Sequence, residues 1–109
     1  MGITVKELQA RCYAQAKEKG WTEKPVSVPE QVALLCSEAC EALESFRKHD
    51  PVSWTTEEGK PEGIASEYAD IVIRVCHYAE ALGFDLEAEI LRKLDYNMTR
   101  PYRHGGKAA

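Results

Sequence analysis

Apolar residues recur every three or four positions along most of the chain, which is the spacing of amphipathic helices rather than of strands. A first helix is indicated by four such positions, Val5, Leu8, Cys12 and Ala16. Thr4 precedes them with Glu7 three residues later, which is the pattern of a capping box, and Gly20 provides a stop. The first helix is therefore predicted between Thr4 and Gly20.

The rest of the chain repeats this organisation. A second helix is predicted from Ser27 to about Lys48, a third from Pro61 or Gly63 to Leu82, and a fourth from Asp85 to about Arg100. The segment 51–63 holds two prolines and two glycines, too many helix breakers for a helix. No segment shows the alternation of a strand, so the fold class is all-α, a four-helix bundle in a single domain over 1–109.

The apolar face of the third helix is wider than one packing neighbour requires. On a helical wheel it spans about 200°, whereas about 100° suffices to face one core. The polar remainder of that helix holds Glu67, Asp70 and Arg74, and the second helix places Glu38 and Glu41 opposite its own apolar residues. We therefore expect the bundle to oligomerise through these two central helices.

Two pairs of acidic residues stand on the polar faces. Glu38 and Glu41 are three positions apart, as are Glu67 and Asp70, so the members of each pair share one helix face. Four carboxylates facing one another in a partly desolvated groove repel each other, and a hard divalent cation removes the repulsion. Because Mg²⁺ prefers oxygen ligands and completes its shell with water and substrate phosphates, the four acids predict a Mg²⁺ site for phosphoryl or nucleotidyl chemistry, in which Mn²⁺ can substitute.

The same acids have two other interpretations. In the first, both pairs are solvated helix faces, and Asp70 forms an i,i+4 ion pair with Arg74; the spacing leaves this alternative open. In the second, the acids form a di-iron centre of the ferritin-like type, which requires Glu-x-x-His motifs. The positions three residues after Glu38 and Glu67 hold acids rather than histidine, which disfavours di-iron chemistry.

The fourth helix supplies groups that suit a polyphosphate. Lys93, Asn97 and Arg100 recur at helical spacing on one face. Lysine and arginine neutralise phosphate charge that a metal leaves uncompensated, and an asparagine amide can hydrogen-bond a sugar or a phosphate. The alternative for Lys93 is an ordinary solvent-facing lysine. The tail, about 101–109, is basic and contains glycine, so it either closes over a polyphosphate or frays.

Composition and charge narrow the class of protein. The chain is 44% hydrophobic and 29% charged, which is typical of a soluble globular domain. A net charge of −4 argues against a general nucleic-acid partner, and no apolar run is long enough to span a membrane. The first residues lack a signal-peptide core, so we expect a cytoplasmic protein. The basic residues concentrate after Arg92, which leaves an acidic body and a basic end.

Four cysteines lie within apolar helical patterns, Cys12, Cys36, Cys40 and Cys76. No pair has Cys-x-x-Cys spacing and no histidine lies near them at zinc-finger spacing. We interpret them as small buried hydrophobic residues in a reducing compartment.

The order of the motifs carries a family resemblance. Glu-x-x-Glu, Glu-x-x-Asp and Lys-x-x-x-Asn-x-x-Arg follow one another, at Glu38, Glu41, Glu67, Asp70, Lys93, Asn97 and Arg100. The chain resembles the MazG-like all-α nucleoside triphosphate pyrophosphohydrolases over about 4–107, and is most similar to short single-domain members such as the dCTP-type pyrophosphatases.

The resemblance implies Mg²⁺-dependent hydrolysis of (d)NTPs to (d)NMP and pyrophosphate, often to remove non-standard or surplus nucleotides. It implies that the four acids bind the metal. From the chemistry of the reaction we expect a glutamate that the metal does not saturate to polarise the attacking water, with Glu41 favoured over Glu38. It implies that Lys93 and Asn97 contact phosphate or sugar, and that homodimers or homotetramers form with sites at subunit interfaces. Arg100 is expected to bind phosphate beside them because it shares their helix face.

Two aromatic positions bear on specificity. Relatives of the dCTP type have a tryptophan after the first helix that contacts the base, and Trp21 stands there, whereas Trp54 falls in the later connection. Those relatives commonly have tyrosine one turn after the aspartate, where this chain has Arg74, so the base or sugar contact at that position is open. The alternatives are a phosphoribosyl-ATP-type pyrophosphohydrolase and a non-enzymatic helical adaptor.

Overall fold

The computed structural model describes residues 2–102, and these residues form an all-α fold. The four helices are α1, Val5–Glu18; α2, Val28–Arg47; α3, Ile64–Leu82; and α4, Leu86–Met98. They confirm the predicted all-α class and the number of helices, and their ends fall within a few residues of the predicted ones. Most of the basic tail, from residue 103 onward, lies outside the described residues.

Side-chain caps begin three of the four helices. The Thr4 hydroxyl accepts from the Glu7 N–H at 3.0 Å while the Glu7 carboxylate accepts from the Thr4 N–H at 2.9 Å, which completes the predicted capping box. Ser27 accepts from the Glu30 N–H at the start of α2, and Asp85 accepts from the Ala88 N–H at the start of α4. Local sequence therefore specifies where these helices begin.

A short β ladder in the connection between α2 and α3 was not predicted. Trp54–Thr55 (β1) pairs antiparallel with Pro61–Glu62 (β2). Two residues per strand are too few to produce an alternating pattern that sequence analysis can detect. The turn between them is closed by the Thr56 N–H to Lys60 O bond at 2.9 Å and by the Lys60 N–H to Thr56 Oγ1 bond at 3.0 Å.

The helix α3 lies at the centre of the packing, with α1 on one side and α2 on the other. Small side chains line much of these contacts, and the buried apolar set consists of Cys12, Ala16, Ala42, Cys76, Tyr78 and Ala79. Small residues allow the helix axes to approach closely. The interpretation of the cysteines as buried holds for Cys12 and Cys76, but it is wrong for Cys36 and Cys40, which are exposed.

The exposure of Cys36 and Cys40 follows from the orientation of α2. This helix turns a largely polar face inward, with Glu38, Ala42 and Ser45 buried against the rest of the chain. Its apolar side faces out, and Phe46 is 64% exposed. On α3 and α4 several large apolar side chains are exposed as well, Tyr68, Val72, Leu91, Leu94 and Met98 among them. Within residues 2–102, no helix combines the length and apolar character needed to cross a membrane.

One buried side chain fixes how α4 leaves α3. The Gln9 amide of α1 donates to Glu80 Oε1 at 2.9 Å and to the Phe84 carbonyl at 2.8 Å, and it accepts from the Leu86 N–H at 3.0 Å. These bonds tie the end of α3 and the start of α4 to α1. Beyond this joint α4 packs against α1, and it buries none of its residues.

The start of α3 depends on Gly63 instead of a side-chain cap. Gly63 has a φ of +101°, and a Cβ there would lie 2.4 Å from the Val52 carbonyl oxygen. That carbonyl accepts from the Ala65 N–H at 2.9 Å and so satisfies one of the free amides of the first turn. The connection can close on α3, four residues before Glu67, because this position lacks a side chain.

Gly63→Ala should therefore lower the free energy of unfolding by about 3 kcal/mol, since backbone strain at this φ adds to the clash. Gly83→Ala at the other end of α3 is a matched control, because Gly83 has a φ of +79° but no atom lies within 4 Å of its built Cβ. It should cost about 1 kcal/mol. Urea denaturation measures both values; equal losses would show that the close approach of Val52 is unimportant.

Candidate metal centre

Three carboxylates from two helices meet where α2 packs on α3. Glu38, Glu67 and Asp70 each offer one oxygen, and the three oxygens lie within 4.8 Å of one another. Glu67 and Asp70 converge because they are three residues apart on one helix. Glu38 joins them because the inward face of α2 is its polar face. The structure thus brings together three of the four acids that the sequence predicted to bind metal.

Two oxygens of this cluster are buried without a hydrogen-bond partner. They are Oε2 of Glu38 and Oε2 of Glu67, and the Glu38 side chain is only 10% exposed. Buried polar atoms in folded proteins nearly always have a partner, and an unpaired carboxylate oxygen is costly to bury. The donor set consists only of oxygen, so a hard divalent cation fits these two oxygens and relieves the repulsion among the acids.

The pKa values of two of these acids are raised, which reflects their crowding. The pKa of Glu67 is raised to about 7, chiefly by burial and then by the charge of Glu41 and a hydrogen bond with it. The pKa of Asp70 is raised as well, first by burial and then by the charge of Glu38. Both shifts have the sign expected for partly desolvated carboxylates beside other acids.

Glu41 stands at the edge of the cluster. It is exposed, unlike Glu38 one turn before it, and it lies close enough to Glu67 for its charge to raise the pKa of that residue. It therefore lies beside the three converging acids, where solvent can reach it. Of the two candidates for activating water, Glu41 is the accessible one and Glu38 is the buried one.

Arg74 pairs with an acid of the other helix. Its Nε donates to Glu38 Oε1 at 2.8 Å, and its Nη1 donates to the Tyr78 hydroxyl at 3.1 Å. Its charge also acts on Asp70, whose pKa it lowers against the larger effect of burial. The hydrogen-bonded ion pair of Arg74 thus joins α3 to α2 rather than running along α3 to Asp70, as the solvated-face interpretation expected.

A cavity of about 490 Å³ opens beside the cluster. Glu38, Asp70 and Arg74 are among its lining residues, and the others are largely apolar and aromatic, including Leu34, Ile73 and Tyr78. Trp21 lies at this cavity and is 62% exposed, whereas Trp54 is on β1 and is not among the lining residues. The cavity is large enough for a small organic molecule, and it combines apolar surface with a few charged groups.

The predicted phosphate-binding residues lie elsewhere in the chain. Lys93, Asn97 and Arg100 are exposed on or just after α4, and the Lys93 Nζ lies 5.5 Å from the centroid of the Tyr96 ring. The described residues that line the cavity beside the acids include none from α4. Within one chain, the structure does not bring these three residues to the acid cluster.

Lys60 is a cation near the acids that sequence analysis did not single out. Its Nζ lies 3.0 Å from Glu62 Oε1 in the β ladder. Its pKa is raised, mainly by this hydrogen bond and the charge of Glu62, and also by the charges of Glu67 and Glu41. Nothing in the local sequence marks it, since its position depends on the turn that joins β1 and β2.

Comparison with known proteins identifies no relative: no family model, no curated protein and no solved structure matches the chain. The functional assignment therefore depends on the site itself and on the resemblance of its motifs.

The raised pKa of Glu67 predicts how the metal-free protein responds to pH. The folded protein holds this proton with a pKa of about 7, against an ordinary value of 4.5, so stability falls as pH rises from 4.5 through 7. Glu67→Gln removes the ionisation and should stabilise the protein at pH 8 by about 1–2 kcal/mol, after allowance for solvent screening. The gain should shrink towards pH 4.5. Chemical denaturation in EDTA at several pH values measures it, and a gain independent of pH would contradict the assignment.

Proposed function

We propose that the protein is a Mg²⁺-dependent nucleoside triphosphate pyrophosphohydrolase that converts a (d)NTP and water to (d)NMP and pyrophosphate. The observation that carries the proposal is the pair of buried, unpartnered oxygens on Glu38 and Glu67, converging with Asp70 beside an aromatic cavity. The order of the acidic and basic motifs, which resembles the MazG-like enzymes, supports the choice of substrate.

Glu38, Glu67 and Asp70 would hold the metal, with Glu41 completing the set from the edge. Bound there, Mg²⁺ or Mn²⁺ would supply Lewis acidity to phosphate oxygens. The oxygen-only donor set favours these ions over softer metals. The cations beside the three converging acids are Arg74 and, nearby, Lys60, so a metal–triphosphate complex suits this acidic site better than a free anion.

Glu41 is the better candidate for taking a proton from the attacking water. It is exposed beside the cluster, whereas one oxygen of Glu38 is already bonded to Arg74 at 2.8 Å. A general base must be within hydrogen-bond reach of the water, and the exposed Glu41 is accessible to solvent whereas Glu38 is buried. Glu38 then serves as a metal ligand.

The cavity beside the acids would take the nucleoside. Trp21, a lining residue, is exposed enough to stack on a base, and Leu34 and Ile73 line the same cavity and provide apolar contacts. Stacking accepts any base, so the preference for a pyrimidine such as dCTP, and a role in removing non-standard or surplus nucleotides, rest on the resemblance alone.

We further propose a homodimer or homotetramer. The outward apolar side of α2, with Phe46 exposed, and the exposed apolar residues of α4 need a covering partner. A second copy could also bring Lys93, Asn97 and Arg100 to the acids, because α4 of the same chain packs on α1 instead. The complete site would then combine acids of one subunit with cations of another.

Replacement of the candidate base tests the reaction. Glu41→Gln keeps the size of the side chain and removes its charge, so turnover should fall by about 100-fold or more. Glu44→Gln, an exposed glutamate on the same helix, is the matched control and should remain fully active. Ion-exchange chromatography of the products from eight common (d)NTPs, modified nucleotides and phosphoribosyl-ATP identifies both substrate and bond. Release of NDP and phosphate would contradict the proposal, and absence of any turnover would favour a helical adaptor.

Mixing two inactive variants tests the shared site. Lys93→Ala should lose triphosphate binding and retain Mg²⁺ binding, whereas Glu41→Gln should lose turnover. In mixed dimers one of the two sites would hold both intact residues, so an equal mixture should recover about a quarter of wild-type activity after subunit exchange. Recovery of no activity, in a mixture that light scattering shows to be oligomeric, would place Lys93 and Glu41 in the same subunit's site or outside a site altogether.

A further inference from the structure

Arg74 makes the two carboxylate oxygens of Glu38 inequivalent, because it bonds to only one of them. Oε1 accepts from the Arg74 Nε at 2.8 Å, while Oε2 is buried without a partner. Oε1 is thus engaged by a cation of the protein, and Oε2 is the oxygen left for a ligand.

The guanidinium is itself held in place. Its Nη1 donates to the hydroxyl of Tyr78, a buried residue one turn further along α3. Two hydrogen bonds from one planar group restrict its rotation more than a single bond from a flexible ammonium would. Glu38 is buried to nine-tenths, so few other groups compete for Oε1.

The number of oxygens that a carboxylate offers distinguishes between divalent cations. Ca²⁺ takes six to eight oxygens and often binds both oxygens of one carboxylate, whereas Mg²⁺ requires a small octahedron and binds carboxylates through single oxygens. Partners outside the ligand shell orient the ligands and tune affinity in many metal sites. A group that occupies one oxygen of Glu38 therefore disfavours the larger ion.

We propose that Arg74 is a positioning residue that restricts Glu38 to one metal-binding oxygen and thereby sets the preference of the site for Mg²⁺ over Ca²⁺. This inference rests on the metal site of the proposed function. The competing account is that Arg74 only supplies positive charge to a crowded acidic site. Charge alone acts alike on two divalent ions, so the ratio of the two affinities separates the accounts.

Isothermal titration of Mg²⁺ and of Ca²⁺ into the full chain measures that ratio without any turnover. In Arg74→Gln, the affinity for Ca²⁺ relative to Mg²⁺ should rise by about tenfold, the lower end of the effect expected for loss of an outer partner. Arg92→Gln is the matched control, since Arg92 forms an exposed ion pair with Glu89 on α4. Its ratio should equal that of the wild type.

A second variant keeps the test decisive if Arg74→Gln fails to fold. Tyr78→Phe removes only the hydroxyl that anchors the guanidinium, and it should raise the ratio in the same direction by a smaller factor. An unchanged ratio in the folded variants, with Mg²⁺ binding to the wild type intact, would overturn this inference alone. Failure of the wild type to bind either ion would overturn the metal site and this inference together.

Discussion

The central constraint on this molecule is the burial of two carboxylate oxygens, Glu38 Oε2 and Glu67 Oε2, between two helices with no donors among residues 2–102 to satisfy them. Glu38 is one of the few polar residues in the interior, yet one of its oxygens has no partner and the other depends on Arg74. Glu67 also has an oxygen without a hydrogen-bond partner, and its pKa is raised to about 7, above all by burial. An interface built only for stability would place apolar groups here, since a buried charge pair rarely outperforms them. The arrangement is understandable as a binding site that the metal-free chain supports at a cost.

The orientation of α2 follows from the same constraint. Because the helix turns Glu38, Ala42 and Ser45 inward, its apolar side is left facing solvent, together with exposed apolar residues on α3 and α4. Gln9 holds the start of α4 against α1, and none of the described residues of α4 lines the cavity beside the acids. The proposed assembly accounts for both features at once, since a second copy would cover the apolar surfaces and supply Lys93 to the site.

Some of this could be predicted from the sequence, and the rest could not, for physical reasons. Caps such as Thr4 with Glu7 act within a few residues, so local sequence located the helices correctly. The convergence of Glu67 and Asp70 follows from spacing on one helix. A helical wheel, however, shows which residues share a face and not which face turns inward. The expectation that Cys36 and Cys40 are buried therefore failed, because the apolar side of α2 faces outward in this chain.

Contacts between different helices and strands could not be predicted from the sequence either, because local patterns do not show how the elements pack against one another. The bond between Arg74 and Glu38 depends on the register of α3 against α2, which no local pattern encodes. Lys60 reaches the neighbourhood of the acids through a β ladder too short to be visible as alternation.

A crystal structure of the full chain soaked in Mn²⁺ tests the central claim most directly, since the anomalous signal of manganese locates the ion independently of any assay. The account predicts an anomalous peak for a manganese ion coordinated by Glu38 Oε2, Glu67 and Asp70. Arg74 should still donate its hydrogen bond to Glu38 Oε1. A well-ordered cluster with no manganese, or manganese bound only elsewhere, would contradict it.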